Sequence, residues 1–185
     1  QRITVTAATA TLEAKSSAIA GELVSVEFTG PKPASGDFIT VTAPDAAETK
    51  FNSYDYTKQG SPAEIRMPLD AGDYELRFVQ WNKKVLARRP ISVTPASATI
   101  DGPATAMANE LIEVAFTGPP PGSGDYIAVA KTDAEVRQYE SYGYVAQGSP
   151  AKFRMPRDPG NYELRYIQGN KKILVRAPIT VTPAE

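Results

Sequence analysis

The 185 residues carry 20 Lys and Arg against 21 Asp and Glu, for a net charge of -1, with 42% hydrophobic content. So even a balance gives no field to draw the chain to nucleic acid or an anionic membrane, and the lack of any Cys or His removes thiolate and imidazole metal ligands, catalytic thiols and the base of a Ser-His-Asp triad. No cofactor and no metal site are expected, no apolar run nears the ~18 residues of a membrane span, and cysteine-free small domains suit a bacterial export route or a reducing interior.

Taken in chain order, the first segment already belongs to a pattern. ITVTAA at 3–8 matches ISVTPA at 91–96, an offset of 88 (91 − 3), so residues 1–8 are expected to be the tail of a preceding repeat. The same offset aligns VEFTGPKPASGDFI (26–39) with VAFTGPPPGSGDYI (114–127) and QGSPAEIRMP (59–68) with QGSPAKFRMP (147–156), and about half of all paired positions are identical. A period of this length exceeds a solenoid repeat and fits a complete small domain. Two tandem domains are expected, 9–95 and 96–185. Between them Pro95, Ala96 and Ser97 form a short connection that restricts swivelling, which predicts an elongated pair.

Within each unit the hydrophobic period is two, the mark of strands. TATL (9–12) opens the first unit, ELVSVEF (22–28) turns Val24, Val26 and Phe28 to one face, and FITV (38–41) offers Ile39 and Val41. The tyrosine-rich FNSYDY (51–56) and IRM (65–67) follow. DYELRF (73–78) alternates Tyr74, Leu76 and Phe78 inward with Glu75 and Arg77 outward on a solvated face, and KVLARRPISV (84–93) returns after a tight turn at Asn82. Pro, Gly and Asp punctuate the gaps, and no segment keeps a helical period for three turns. The expectation is an all-β fold of two tandem seven-stranded β-sandwiches.

The segments Asp70-Ala71-Gly72-Asp73-Tyr74 and Asp158-Pro159-Gly160-Asn161-Tyr162 share the form Asp-x-Gly-x-Tyr. This resembles the turn into strand F of immunoglobulin-fold domains, where the tyrosine hydroxyl bonds back to upstream backbone as a tyrosine corner. The resemblance implies that Leu76 and Leu164 stand where such domains carry a disulfide cysteine, with Val26 and Val114, or Phe28 and Phe116, as partners on strand B. Each whole unit, through GPxxxGDxI, Tyr-x-Tyr, GSPxxxxMP and GxYELRY, is similar to the immunoglobulin-like repeats appended to exported bacterial von Willebrand factor A proteins. Weaker similarity runs to SKICH-type domains and to the N-terminal sandwich of purple acid phosphatases. The metal motif Asp-x-Ser-x-Ser and any phosphatase ligand set are absent, so the resemblance implies an accessory module rather than a catalyst.

Three groups are candidates for contact. Trp81, the single tryptophan, sits at a hairpin tip beside Gln80, Asn82 and Lys83, where its indole either stacks a sugar or anchors a partner or folds onto its own sheet; the folded-down arrangement is the expectation. In the second unit Gly169 takes its place and suits a turn with positive φ. Phe51, Tyr54 and Tyr56, matched by Tyr139, Tyr142 and Tyr144, either form a glycan platform supplied with donors by Arg66 or Arg154, or simply cover the open edge of the sandwich; the edge cover is the expectation. The basic run Lys83, Lys84, Arg88 and Arg89 reads as a solvated face.

The functional expectation is a non-enzymatic spacer and protein-interaction module, periplasmic or on the cell surface of a bacterium, whose partners are proteins including other domains of its own chain. Nucleic acid and direct membrane insertion are not expected. The alternative is a carbohydrate-binding module using Trp81 and the tyrosines.

Overall fold

The computed structural model describes residues 7–32, 36–48, 50–81, 83–122 and 124–184. Part of the expected leading tail, residues 1–6, and the turn residue Asn82 lie outside the described residues. The chain divides into two compact units, 1–95 and 96–185.

The first unit contains β1 (Thr11–Glu13), β2 (Ser17–Ile19), β3 (Leu23–Thr29), β4 (Phe38–Thr42), β5 (Ser53–Tyr56), β6 (Ala63–Arg66), β7 (Gly72–Val79) and β8 (Val85–Thr94). The second repeats the series as β9 (Thr99–Asp101), β10 (Thr105–Met107), β11 (Leu111–Thr117), β12 (Tyr126–Lys131), β13 (Ser141–Tyr144), β14 (Ala151–Arg154), β15 (Gly160–Gln168) and β16 (Lys172–Thr182). In each unit a three-stranded sheet, β1-β3-β6 or β9-β11-β14, accompanies a five-stranded one, β2-β8-β7-β4-β5 or β10-β16-β15-β12-β13. Both units are all-β sandwiches. Eight strand segments replace the expected seven, because the N-terminal strand is divided between sheets: Ser17, Ala18 and Ile19 pair in parallel with Ser92, Val93 and Thr94 of β8. Only Ala18 of that segment is buried, so it carried no hydrophobic period by which to be read.

The cores follow the alternation of the sequence. Val24 and Val26 of β3 lie opposite Ile65 and Ala63 of β6, and all four are at most 2% exposed. From the other sheet Ile39 and Val41 oppose Phe78 and Leu76. Leu76 and Leu164 are buried with Val26 and Val114, and the methyl groups of Leu164 and Val114 both close on the backbone at Gly102. Burying each such side chain contributes roughly 1.5–3 kcal/mol, which holds the sheets together without a cross-link.

The outer face of the five-stranded sheet departs from the expectation. Arg77 is 1% exposed and Arg165 fully buried. Period-two alternation turns them away from the core, as expected, but the connections after β4 and β12 fold over that face. Arg77 donates to Glu75 at 2.5 Å and to the carbonyls of Ala47 at 3.3 Å and Pro44 at 3.2 Å. Arg165 repeats this with Glu163 at 2.5 Å and the carbonyls of Glu135 at 3.1 Å and Lys131 at 2.9 Å. Arg88 and Arg176 then pair with Glu75 and Glu163 from the neighbouring strand. Beneath the second unit's connection Tyr126, Ala128 and Ile167 form a small apolar cluster with Val136 and Ile173. The face expected to be solvated is a covered ionic layer.

Candidate functional site

The tyrosine-rich edge strands carry the most exposed aromatic surface. On β5 the two-residue period puts Tyr54 and Tyr56 on one face, and the pairing of β5 with β4 brings Phe38 beside them. Ring centroids of Phe38 and Phe51 lie 5.5 Å apart, Phe51 and Tyr54 5.1 Å, and Tyr54 and Tyr56 5.3 Å. The second unit builds the same row from Tyr126, Tyr139, Tyr142 and Tyr144, with centroid separations of 5.2, 5.2 and 5.1 Å. These rings meet edge to face or tilted, with interplanar angles between 59° and 81°.

Exposure decides between covering an edge and offering a platform. Tyr54 is 47% exposed and Tyr144 45%, so the rings do not shield one another from water. The phenol of Tyr142 is raised above its ordinary pKa, first by its hydrogen bond with Tyr144, and that of Tyr54 by Tyr56 in the same way. Burial, with the Tyr139 phenol, pushes Tyr126 up to about 12. The expected supply of donors from Arg66 and Arg154 is not there. Their guanidinium groups reach instead to the carbonyls of Gly21 at 2.7 Å and Asn109 at 3.0 Å, pinning the turn before the next strand.

Trp81 stands out from its sheet. It is 68% exposed, so the expectation that the indole folds down is corrected. Among the described residues Lys83 of the first hairpin is at φ 68°, and Gly169 and Asn170 of the second are at φ 57° and 56°. Beneath the tip lies Asp37, 1% exposed, whose Oδ1 accepts from the Trp81 amide at 2.9 Å. Its carbonyl also accepts from the Thr57 amide at 3.0 Å. Asp125 does the same work in the second unit, accepting from Gly169 at 2.7 Å and Gly122 at 2.8 Å. Asp37 and Asp125 are thus buried brackets that join three connections at one end of each unit. Gln80 is half-buried and Lys83 exposed.

The motif read as a tyrosine corner has the expected bond. Tyr74 donates to the carbonyl of Asp70 at 3.1 Å and Tyr162 to that of Asp158 at 2.9 Å. Gly72 and Gly160, at φ 154° and 152°, begin β7 and β15 between the two partners. The basic run is dispersed by strand alternation: Arg88 joins Glu75, while Arg89 donates to Glu13 at 3.2 Å and to the carbonyl of Ala14.

Among the described residues no group of three or more Asp or Glu could hold a metal ion, and no helix is long and apolar enough to cross a membrane. A depression lined by Lys131, Asp133, Gln138, Asp158 and Tyr162 is shallow and open. No family model and no curated protein matches the chain. Among solved structures it is similar to SGBP-B of the mixed-linkage glucan utilization locus of Bacteroides ovatus, in complex with a mixed-linkage heptasaccharide. That similarity has 12% identity and a TM-score of 0.31, and covers 91% of this chain and 43% of that one. The chain spans less than half the length of that protein.

Proposed function

We propose that the chain is a non-enzymatic, exported bacterial binding module that recognises carbohydrate through exposed aromatic side chains on the edge of each five-stranded sheet, together with Trp81. The observation that carries this reading is the pair of four-ring rows, whose outer members remain 36% to 47% exposed. A spacer has no use for a row of wet aromatic rings, whereas the CH-bearing faces of pyranose rings stack on such surfaces while tyrosine hydroxyls exchange hydrogen bonds with sugar hydroxyls.

Each unit is read as an immunoglobulin-like sandwich of the type appended to von Willebrand factor A proteins. The Asp-x-Gly-x-Tyr bonds at Tyr74 and Tyr162 support this, as does the parallel pairing of the first strand's second half with β8 and β16. The reading places the module in the periplasm or on the cell surface. A second reading, a spacer that contacts proteins, is favoured by the repetition of one complete core in two units.

A glycan array, followed by affinity electrophoresis on the 185-residue chain, tests the proposal. Retardation by a defined glycan, lost on replacing Tyr54 and Tyr142 together by Ala, is the expected result. No retardation across the array leaves the spacer reading standing.

A further inference from the structure

The same bracket builds one end of both units, yet the side chains mounted on it differ. In the first unit three connections meet at Asp37: Thr57 bonds its carbonyl at 3.0 Å, Trp81 bonds its carboxylate at 2.9 Å, and a Cβ added at the neighbouring Gly36 would lie 3.1 Å from the Trp81 Cβ. In the second unit Val145 bonds the Asp125 carbonyl at 3.1 Å and Gly169 its carboxylate at 2.7 Å. The backbone arrangement is common to both. Each of these connections carries an exposed lysine, Lys32, Lys58 or Lys83, and the third also carries the exposed Trp81. The residues 88 positions on are Pro120, Ala146, Lys171 and Gly169. The second unit keeps the scaffold and lacks the indole and two of the three ammonium groups.

Among the described residues Lys32, Lys58 and Lys83 form no ion pair, and two acids at this end are held by other groups. Asp37 is turned inward beneath the hairpin. Asp55 receives the Gln59 amide at 2.6 Å and the Glu64 backbone amide at 3.2 Å. Lys58 lies 5.4 Å above the Tyr56 ring, which ties this end to the aromatic row.

We infer that this end of the first unit, and not of the second, binds an anionic saccharide, with Trp81 stacking on a sugar ring and the lysines on three connections meeting its carboxylate or sulfate groups. The inference rests on the carbohydrate reading and narrows it. A neutral sugar is held by mixed donors and acceptors, commonly a carboxylate or amide beside the stacking ring. Here Lys83 shares the hairpin of Trp81 and the other two connections carry Lys32 and Lys58, while the carboxylates of Asp37 and Asp55 are engaged elsewhere. Ammonium groups are compact point charges suited to anions of either geometry.

Trp81 is the only tryptophan, so its emission reports on the site directly. The full 185-residue chain would be titrated with an oligo-uronate, a sulfated oligosaccharide, a neutral oligoglucan of equal length and a charge-matched single-stranded DNA, by fluorescence and calorimetry, at about 50 and about 200 mM salt. The expected result is a blue shift and binding with one or both acidic saccharides, weakened by salt; the two arms tell carboxylate from sulfate recognition. Trp81→Ala should weaken it at least about tenfold, and Lys58→Ala, which installs the second unit's residue, up to about fivefold. Both side chains are exposed, and unchanged thermal midpoints would confirm intact folds. Equal, salt-insensitive binding of the neutral oligoglucan overturns this inference and leaves the carbohydrate reading in place. Binding of DNA as tight as that of either saccharide overturns it too, and binding of no saccharide removes both.

Discussion

The carboxylate of Asp37 accepts the backbone amide of Trp81 at 2.9 Å across 44 residues of sequence. That one bond fixes the hairpin tip from below while leaving the indole above it in water. Asp37→Ala removes the acceptor from a buried place and strands the amide, which costs about 1–3 kcal/mol. Asp37→Asn keeps an oxygen and should cost less. Urea denaturation ranks the two, and faster hydrogen exchange at residues 80–84 in the Ala variant localises the effect. Equal stability of both variants and the parent would show that the bracket does not hold the tip.

The covered ionic layer makes a second prediction. Arg165 is enclosed between Glu163 and the carbonyls of Lys131 and Glu135, so Arg165→Met takes from the Glu163 carboxylate its buried partner, leaving it only Arg176, and should cost about 3 kcal/mol. The loss should appear in the second unit's transition. Limited proteolysis within 132–140 should accelerate, because the guanidinium is what draws that connection onto the sheet. A variant as stable and as resistant as the parent would mean that the apolar contacts of Val136 suffice.

The tyrosine corners differ in burial, and so should their removal. Tyr162 is 4% exposed, Tyr74 is half-buried, and both acceptors belong to exposed residues. Water can therefore reach Asp158 and Asp70 once the hydroxyl is gone, which puts Tyr162→Phe at about 1 kcal/mol and Tyr74→Phe below it. Thermal or urea unfolding of the two variants checks the order. A neutral result at both positions would argue that the bond is formed but not stabilising.

These outcomes trace how far the sequence could be read. The corner was legible because donor and acceptor lie four residues apart in one motif. The buried strands were legible because alternation alone places Val24, Val26, Leu76 and Phe78. Arg77 was not, since alternation says only that it leaves the core. What covers it is the connection after β4, some thirty residues away, with no pattern linking the two. Arg66 and Arg154 were misread for the same reason: their partners, Gly21 and Asn109, are remote backbone carbonyls. The residue type of Trp81 does not announce whether its indole turns outward, whereas Gly169 did signal the left-handed turn that it forms.

The last prediction concerns a hydroxyl with no partner. Tyr166 is fully buried, and among the described residues its Oη has no hydrogen-bond partner. It is also crowded: a Cβ added at Gly118 would meet that oxygen at 2.8 Å. The first unit has Phe78 at this position, against Gly30. Burying a hydroxyl without a partner costs about 1–3 kcal/mol, so Tyr166→Phe should stabilise the second unit by up to that amount. Burial, and then the Asp125 charge, push the phenol up to about 12 from 10.0. A raised folded pKa means that the unfolded chain ionises first. The parent's stability is thus intact below pH 10 and falls as the pH rises toward about 12. The Phe variant lacks this loss, so its advantage should widen between about pH 10 and about pH 12. Urea denaturation of both proteins at about pH 8 and about pH 11 measures the two gaps, and absorbance of the tyrosinate band should show one fewer late-titrating phenol in the variant. A destabilised Phe variant would mean that the hydroxyl has a partner after all.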